Sequence, residues 1–217
     1  MAELLTLRDL NGKPIGSQER EAFYREVYKE YAETGIITRQ PEVVWIIAMT
    51  PNGHVYCQER AKTKEFNPKR FDKTVGGHMP FGYSANFVAG SECVEELGIA
   101  ISIAKKSDFI KAAREEDISH LEVRGIAKKI CRLNGYLSTR VMADGGIIEL
   151  PQVVHVYIAY FHGRILFRDG ESCSVKAFDQ EDLAELLNDS PEKATSDLRF
   201  IAKRFRKHLI PMKDQKI

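Results

Sequence analysis

Residues 76–99, GGHMPFGYSANFVAGSECVEELGI, constrain the fold more than any other stretch of the chain. They read as a glycine loop, a helix and a glycine stop. Ser84 offers a side-chain oxygen to the unpaired N–H groups of a first helical turn, with Gly82 just upstream. Gly98 suits the left-handed residue that ends a helix, and Ile99 the apolar contact that follows it. Towards the end of this helix Glu92, Glu95 and Glu96 stand at i, i+3 and i+4 and share one face. An acidic last turn is often only a solvated face. Acids there oppose the helix dipole, however, and three carboxylates converging on one spot repel unless a cation lies between them. Oxygen ligands of this kind suit a hard divalent ion, Mg²⁺ or Mn²⁺.

The stretch resembles the Nudix box, G-x5-E-x7-R-E-U-x-E-E-x-G-U, where U is a bulky apolar residue. Gly77 takes the opening position, Glu92-Cys93-Val94-Glu95-Glu96 the acidic core, and Gly98-Ile99 the close, without a gap. Tyr83 and Ser91 stand where the family has a Glu and an Arg that brace the loop against the helix. The resemblance implies that Glu92, Glu95 and Glu96 are catalytic and hold the metal; glycines let the backbone approach a ligand closely, so the Gly76 or Gly77 carbonyl can face it, Gly77 being the one expected to do so. Glu92 is the preferred residue for orienting or deprotonating water. A further acidic ligand is expected from outside the helix, with Glu149 the first candidate and Glu171 the second. Cys93 sits at an apolar position of the box and reads as core.

A branch of the family, that of isopentenyl diphosphate isomerase and its hydrolase relatives, is suggested by two further patterns. One is Gln58-x-Arg60 followed by Lys64, and the other is Asp9-Leu10-Asn11-Gly12-Lys13-Pro14-Ile15-Gly16. In that branch these cations would meet substrate phosphate, Arg as a fork and Lys as a point charge; the plainer alternative is that they solubilise a loop. His78 is a metal ligand in the isomerases and more often a loop brace in hydrolases that carry Gly-Gly-His. Bracing is the reading preferred here, with a substrate-side position. The isomerases carry a catalytic Cys where this chain has Gly76, so isomerisation is not expected.

The rest of the chain supplies a frame. Residues 4–16 read as a hairpin turning at Asn11-Gly12. Ser17 is expected to cap a helix running to about residue 33, with Gly35 ending it. Residues 43–49 and 153–161 are apolar throughout and read as buried strands. Residues 107–118 and 119–133 read as one or two helices on the apolar markers Leu121, Ile126, Ile130 and Leu133. Asn134-Gly135 reads as a turn, followed by strands at 136–142 and 147–150 about a glycine turn. A helical insertion at about 100–146 is therefore expected, either lining the site and setting specificity or forming a homodimer surface. Asp179 is expected to cap a helix over 180–188, and Ser190 with Pro191 to open the last helix.

Charge and composition exclude some classes of function. A net charge of +1 gives no bulk case for nucleic-acid binding. No apolar run nears the ~20 residues that span a membrane. The four cysteines are scattered and show no CxxC, so neither a zinc site nor a disulfide frame is indicated. A cytoplasmic, reduced protein is the plain reading.

The expected fold is α/β: a single Nudix-type α/β/α sandwich over residues 1–217, with a mixed sheet. The expected function is metal-dependent cleavage of a diphosphate linkage in a nucleoside diphosphate derivative or related small molecule. The alternative, supported by Tyr83 and Ser91, is a catalytically impaired Nudix fold kept for ligand sensing or interaction.

Overall fold

A computed structural model describes residues 3–105, 125–142, 145–161, 163, 165 and 172–215. The two apolar runs become the centre of a mixed sheet. Strand β3 (Arg39–Met49) is buried from Gln40 to Met49. The second long strand, Ile147–Phe161, lies parallel to it, from Glu42 opposite Val153 to Met49 opposite Tyr160. Successive β3 residues serve opposite layers because strand side chains alternate between faces. Trp45, Ile47 and Met49 enter one core cluster, and Val44, Ile46 and Ala48 the other. Each large apolar side chain fully buried this way contributes about 1.5–3 kcal/mol.

Around this pair lie β1 (Leu4–Asp9), β2 (Pro14–Glu19), β4 (Val55–Arg60), β5 (Phe71–Asp72), β6 (Val75–His78), β7 (Ile101–Ile103), β8 (Gly125–Val141), β9 (the Ile147–Phe161 strand) and β10 (Ser172–Phe178). The main path through the sheet is β10-β4-β3-β9-β8-β7, with β1 and β6 also paired to β3 and β5 to β4. Helix α2 (Ala85–Leu97) covers one face through Val88, Ala89, Cys93 and Leu97. Helices α3 (Gln180–Asp189) and α4 (Ser196–Arg204) cover the other through Leu183, Leu198 and Ile201. Helix α1 (Arg20–Thr34) closes a third cluster with Phe23 and Val27 against Leu5, Leu7, Ile148 and Leu150. The expected sandwich with a mixed sheet is what forms.

The N-terminal hairpin turns where expected, with Gly12 at φ +84°. Ser17 does not cap α1. It pairs with Thr6 inside β2, the helix starts at Arg20, and Glu19 takes the N-cap position without a side-chain bond. Strand pairing through Glu19 outcompetes capping there. Gly35 does end α1, in the left-handed region. The helix expected over 119–133 is overturned from residue 125 onward, where the chain is strand β8; residues 107–118, and 119–124 of the second stretch, lie outside the described residues. Asn134-Gly135 is not a turn but part of a register shift in that strand. The glycine turn after Met142 closes the long β8–β9 hairpin. Asp179 caps α3, accepting from Glu181 and Asp182 N–H groups. Pro191 opens only a 3-10 turn, and α4 starts later, capped by Thr195. Among the described residues no helix is long and apolar enough to cross a membrane.

Candidate active site

A cleft of about 590 Å³ opens between α2, β6, the chain after β4 and the floor made by β8 and β9. Helix α2 is placed by both of its ends. Ser84 accepts a hydrogen bond from the Phe87 N–H at 3.3 Å. Gly98, at φ +68°, donates to the Val94 carbonyl while Ile99 donates to that of Cys93, which is the glycine stop read from the sequence. The helix thereby turns Glu92, Glu95 and Glu96 to the cleft wall.

The three carboxylates share the cleft but not one point. Glu96 is 7% exposed and accepts from the Gly76 N–H at 3.2 Å. Glu92 lies against Gly77, where an added Cβ would overlap its carboxylate. Glu95 is exposed to solvent. Among the described residues no group of three or more His, Cys, Asp or Glu is gathered as a metal-ready set, so the convergence expected from helical spacing is corrected to a shared wall. The donor set still fits a hard cation: carboxylates on one helix face and glycine backbone beside them. The two glycines serve the chain's own side chains. Gly77 admits Glu92, and Gly76 admits Lys73, whose Cε would sit 2.6 Å from an added Cβ.

Facing the helix is a buried polar network that the sequence reading missed. Lys73 is 8% exposed and packs over the Trp45 ring, 4.9 Å from its centre. Its ammonium meets Asp72 at 3.3 Å and Asp197 at 3.2 Å. Asp72 also receives Arg60 at 3.3 Å and the Thr195 hydroxyl at 2.8 Å. Burial alone would raise the Asp72 carboxyl, but Lys73 and Arg60 hold it below the usual range. Asp197 accepts from Tyr136 and Ser138, each at 3.0 Å. The one available signal was the inward alternation Tyr136-x-Ser138-x-Arg140 of a polar-faced strand.

His78 and the Tyr24 hydroxyl share a hydrogen bond of 2.5 Å that ties β6 to α1. Burial, then Arg20, Arg140 and Lys73, pushes the imidazole down to about 3. The geometry is that of a brace at the cleft wall. Arg60 and Lys64 line the cleft, with Arg60 also donating to the Phe66 carbonyl at 3.1 Å. Gln58 does not; it is buried in β4 between β10 and β5. Glu149 is corrected as well. It is exposed on β9 opposite Thr139, while its neighbours Ile148 and Leu150 face inward, so strand alternation turns it away from the cleft wall. Glu171 lies outside the described residues. Tyr83, at the position of the family's bracing Glu, meets α2 through an aromatic contact. Tyr83 is 54% exposed and stacks on Phe87, with ring centres 5.1 Å apart.

No family model matches the chain, and no curated protein matches it in sequence. Solved structures do match. DR0079 from Deinococcus radiodurans aligns with TM-score 0.63 over 93% of this chain and 98% of that one, at 17% identity. A MutT protein from Methanosarcina mazei aligns with TM-score 0.50 over 76% of this chain and 92% of that one, at 13% identity. A bifunctional NMN adenylyltransferase/ADP ribose pyrophosphatase from Francisella tularensis, complexed with AMP and a Mn ion, aligns with TM-score 0.50 at 13% identity, over 87% of this chain and 47% of that one. At these identities the likeness is one of fold, and the fold of this chain is the Nudix fold.

Proposed function

We propose that the protein is a divalent-metal-dependent Nudix hydrolase that cleaves a diphosphate linkage in a small molecule, a nucleoside diphosphate derivative being the leading class. The observation that carries this reading is the box helix itself. Its cap and glycine stop turn Glu92, Glu95 and Glu96 into a cleft that also holds Arg60, Lys64 and Lys73. Acid on one wall and cations on the other suit a substrate whose phosphates face both.

Glu92, Glu95 and Glu96, with the Gly77 backbone, would hold Mg²⁺ or Mn²⁺. A bound metal supplies polarisation of a phosphoryl oxygen and a lowered pKa for water. The chain's own residues do the rest. Arg60 and Lys64 bind phosphate oxygens from the β4 side, and Glu92 orients or deprotonates the attacking water. His78 keeps β6 against α1, so the glycine pair stays in place beneath the carboxylates. An impaired, ligand-sensing Nudix domain is the second reading. It is favoured by the Glu96 bond to the Gly76 N–H, which already occupies one carboxylate oxygen.

Metal titration separates the two. Glu95→Gln and Glu96→Gln keep side-chain shape and remove charge. Each is expected to weaken Mg²⁺ or Mn²⁺ binding, read by calorimetry, by at least about tenfold. Unchanged affinity in both variants would sink the metal assignment.

A further inference from the structure

The floor of the cleft carries a buried cation, Arg140, that makes no ion pair among the described residues. Ser138, Arg140 and Gln152 all line it from the β8–β9 hairpin. Two buried polar atoms have no hydrogen-bond partner among the described residues, and both belong to this floor: Arg140 Nε and Gln152 Oε1. Against the guanidinium lies the face of Phe66, 5.7 Å from Arg140 Cζ. Its phenolic neighbours Tyr24 and Tyr28 stay uncharged, because burial pushes both hydroxyls up despite Arg140. The nearby acids are already engaged. Asp72 pairs with Arg60 and Lys73, and Asp197 pairs with Lys73 and accepts from Tyr136 and Ser138. Burial works against the Arg140 charge and the charges of Asp197 and Asp72 favour it, but among the described residues neither carboxylate pairs with it directly.

A buried guanidinium without a direct anionic partner is costly, and its planar fork matches two oxygens of one phosphoryl group. We propose that Arg140 anchors a phosphoryl group of the substrate at the floor of the cleft, opposite the box helix. This rests on the diphosphate reading above and extends it by naming the anchor. The choice of a phosphoryl group over a carboxylate follows from the diphosphate reading alone, since Glu3, which pairs with Arg20, and Glu92, Glu95 and Glu96 share the same cleft.

The test is binding of inorganic pyrophosphate to the full chain by calorimetry without divalent metal, with malonate as the carboxylate comparison. Wild type is expected to bind pyrophosphate more tightly than malonate. Arg140→Met should lose at least about tenfold in affinity and Arg140→Lys should regain part of it, since an ammonium keeps charge but not the fork. Thermal melts check folding. If Arg140→Met does not fold, Arg140→Lys carries the test through a several-fold loss. The anchor is overturned if wild type binds no pyrophosphate, if malonate binds as well, or if the tested variant binds like wild type. No bond is cleaved in this assay. Binding through Arg140 by a protein that hydrolyses nothing therefore supports the anchor while removing the hydrolase reading.

Discussion

At Gly77 the missing Cβ is what lets Glu92 lie over the backbone of the glycine loop. Gly77→Ala would push that carboxylate aside without requiring a forbidden backbone angle, since Gly77 is not at positive φ. Hydrolysis is expected to drop by at least about tenfold while the melt moves by only a few degrees, because the change displaces one polar side chain and no core. A melt that collapses, or activity that holds, contradicts the placement. A second residue-scale prediction lies outside the cleft. Glu42 is 3% exposed, accepts from His155 at 2.5 Å and pairs with Arg8 at 2.6 Å. Burial raises its carboxyl, but the His155 and Arg8 bonds win and hold it at about 2, against 4.5 ordinarily. The folded state therefore keeps Glu42 ionised where the unfolded chain takes up a proton. Its contribution, on the order of 2–3 kcal/mol, is present above pH about 4.5 and lost as pH falls towards about 2. Urea unfolding across that window should show the loss in wild type and a flatter profile in Glu42→Gln. At this scale the sequence disclosed Glu92, Glu95, Glu96 and Arg60, which stand in a motif of fixed spacing. It hid Lys73 and Asp197, which reach the cleft from the β5–β6 link and from α4 with no local pattern to mark them, and marked Arg140 only by the alternation of its strand.

Among the elements, α2 was legible in full because both of its ends are written in local chemistry, Ser84 at the start and Gly98-Ile99 at the stop. Strand β8 was misread for a physical reason. Register shifts between Lys129 and Cys131 and between Leu133 and Tyr136 change which residues face the core. Ile126, Ile130 and Leu133 then recur at three or four residues on a strand, which imitates a helix. Ser17 and Ser190 carried cap chemistry that other interactions overrode, strand pairing at the first and a 3-10 turn at the second. The loop before α2 yields a test at this scale. Tyr83 stacks on Phe87 with 54% of its surface exposed. Tyr83→Ala should therefore cost less than about 1 kcal/mol, as substitutions away from the core do. A loss of about 2–4 kcal/mol, the cost of emptying a packed site, would contradict this exposed placement of Tyr83. Chemical denaturation of the two proteins side by side decides it.

Over the whole molecule the sheet explains why the cleft sits where it does. Strand β3 is buried along its length, α2 covers one face, α3 and α4 the other, and α1 packs beside them. The site forms at the edge of this stack, where β6 presents its glycines to α2 and the β8–β9 hairpin supplies a floor. A polar floor can only be seen after long-range pairing is known. Asp72 and Asp197 are separated by most of the chain, and Lys73 joins them. The function proposed for this cleft is diphosphate hydrolysis with the help of the box carboxylates. The direct measurement is a panel of nucleoside diphosphate derivatives incubated with wild type, Glu95→Gln and Glu96→Gln, with and without Mg²⁺ or Mn²⁺, and followed by phosphorus NMR. Wild type should split at least one compound into two phosphate-bearing products, only with added metal, and each variant should be slower by at least about tenfold with its melt intact. No cleavage anywhere in the panel, or cleavage indifferent to metal and to both substitutions, would contradict the account.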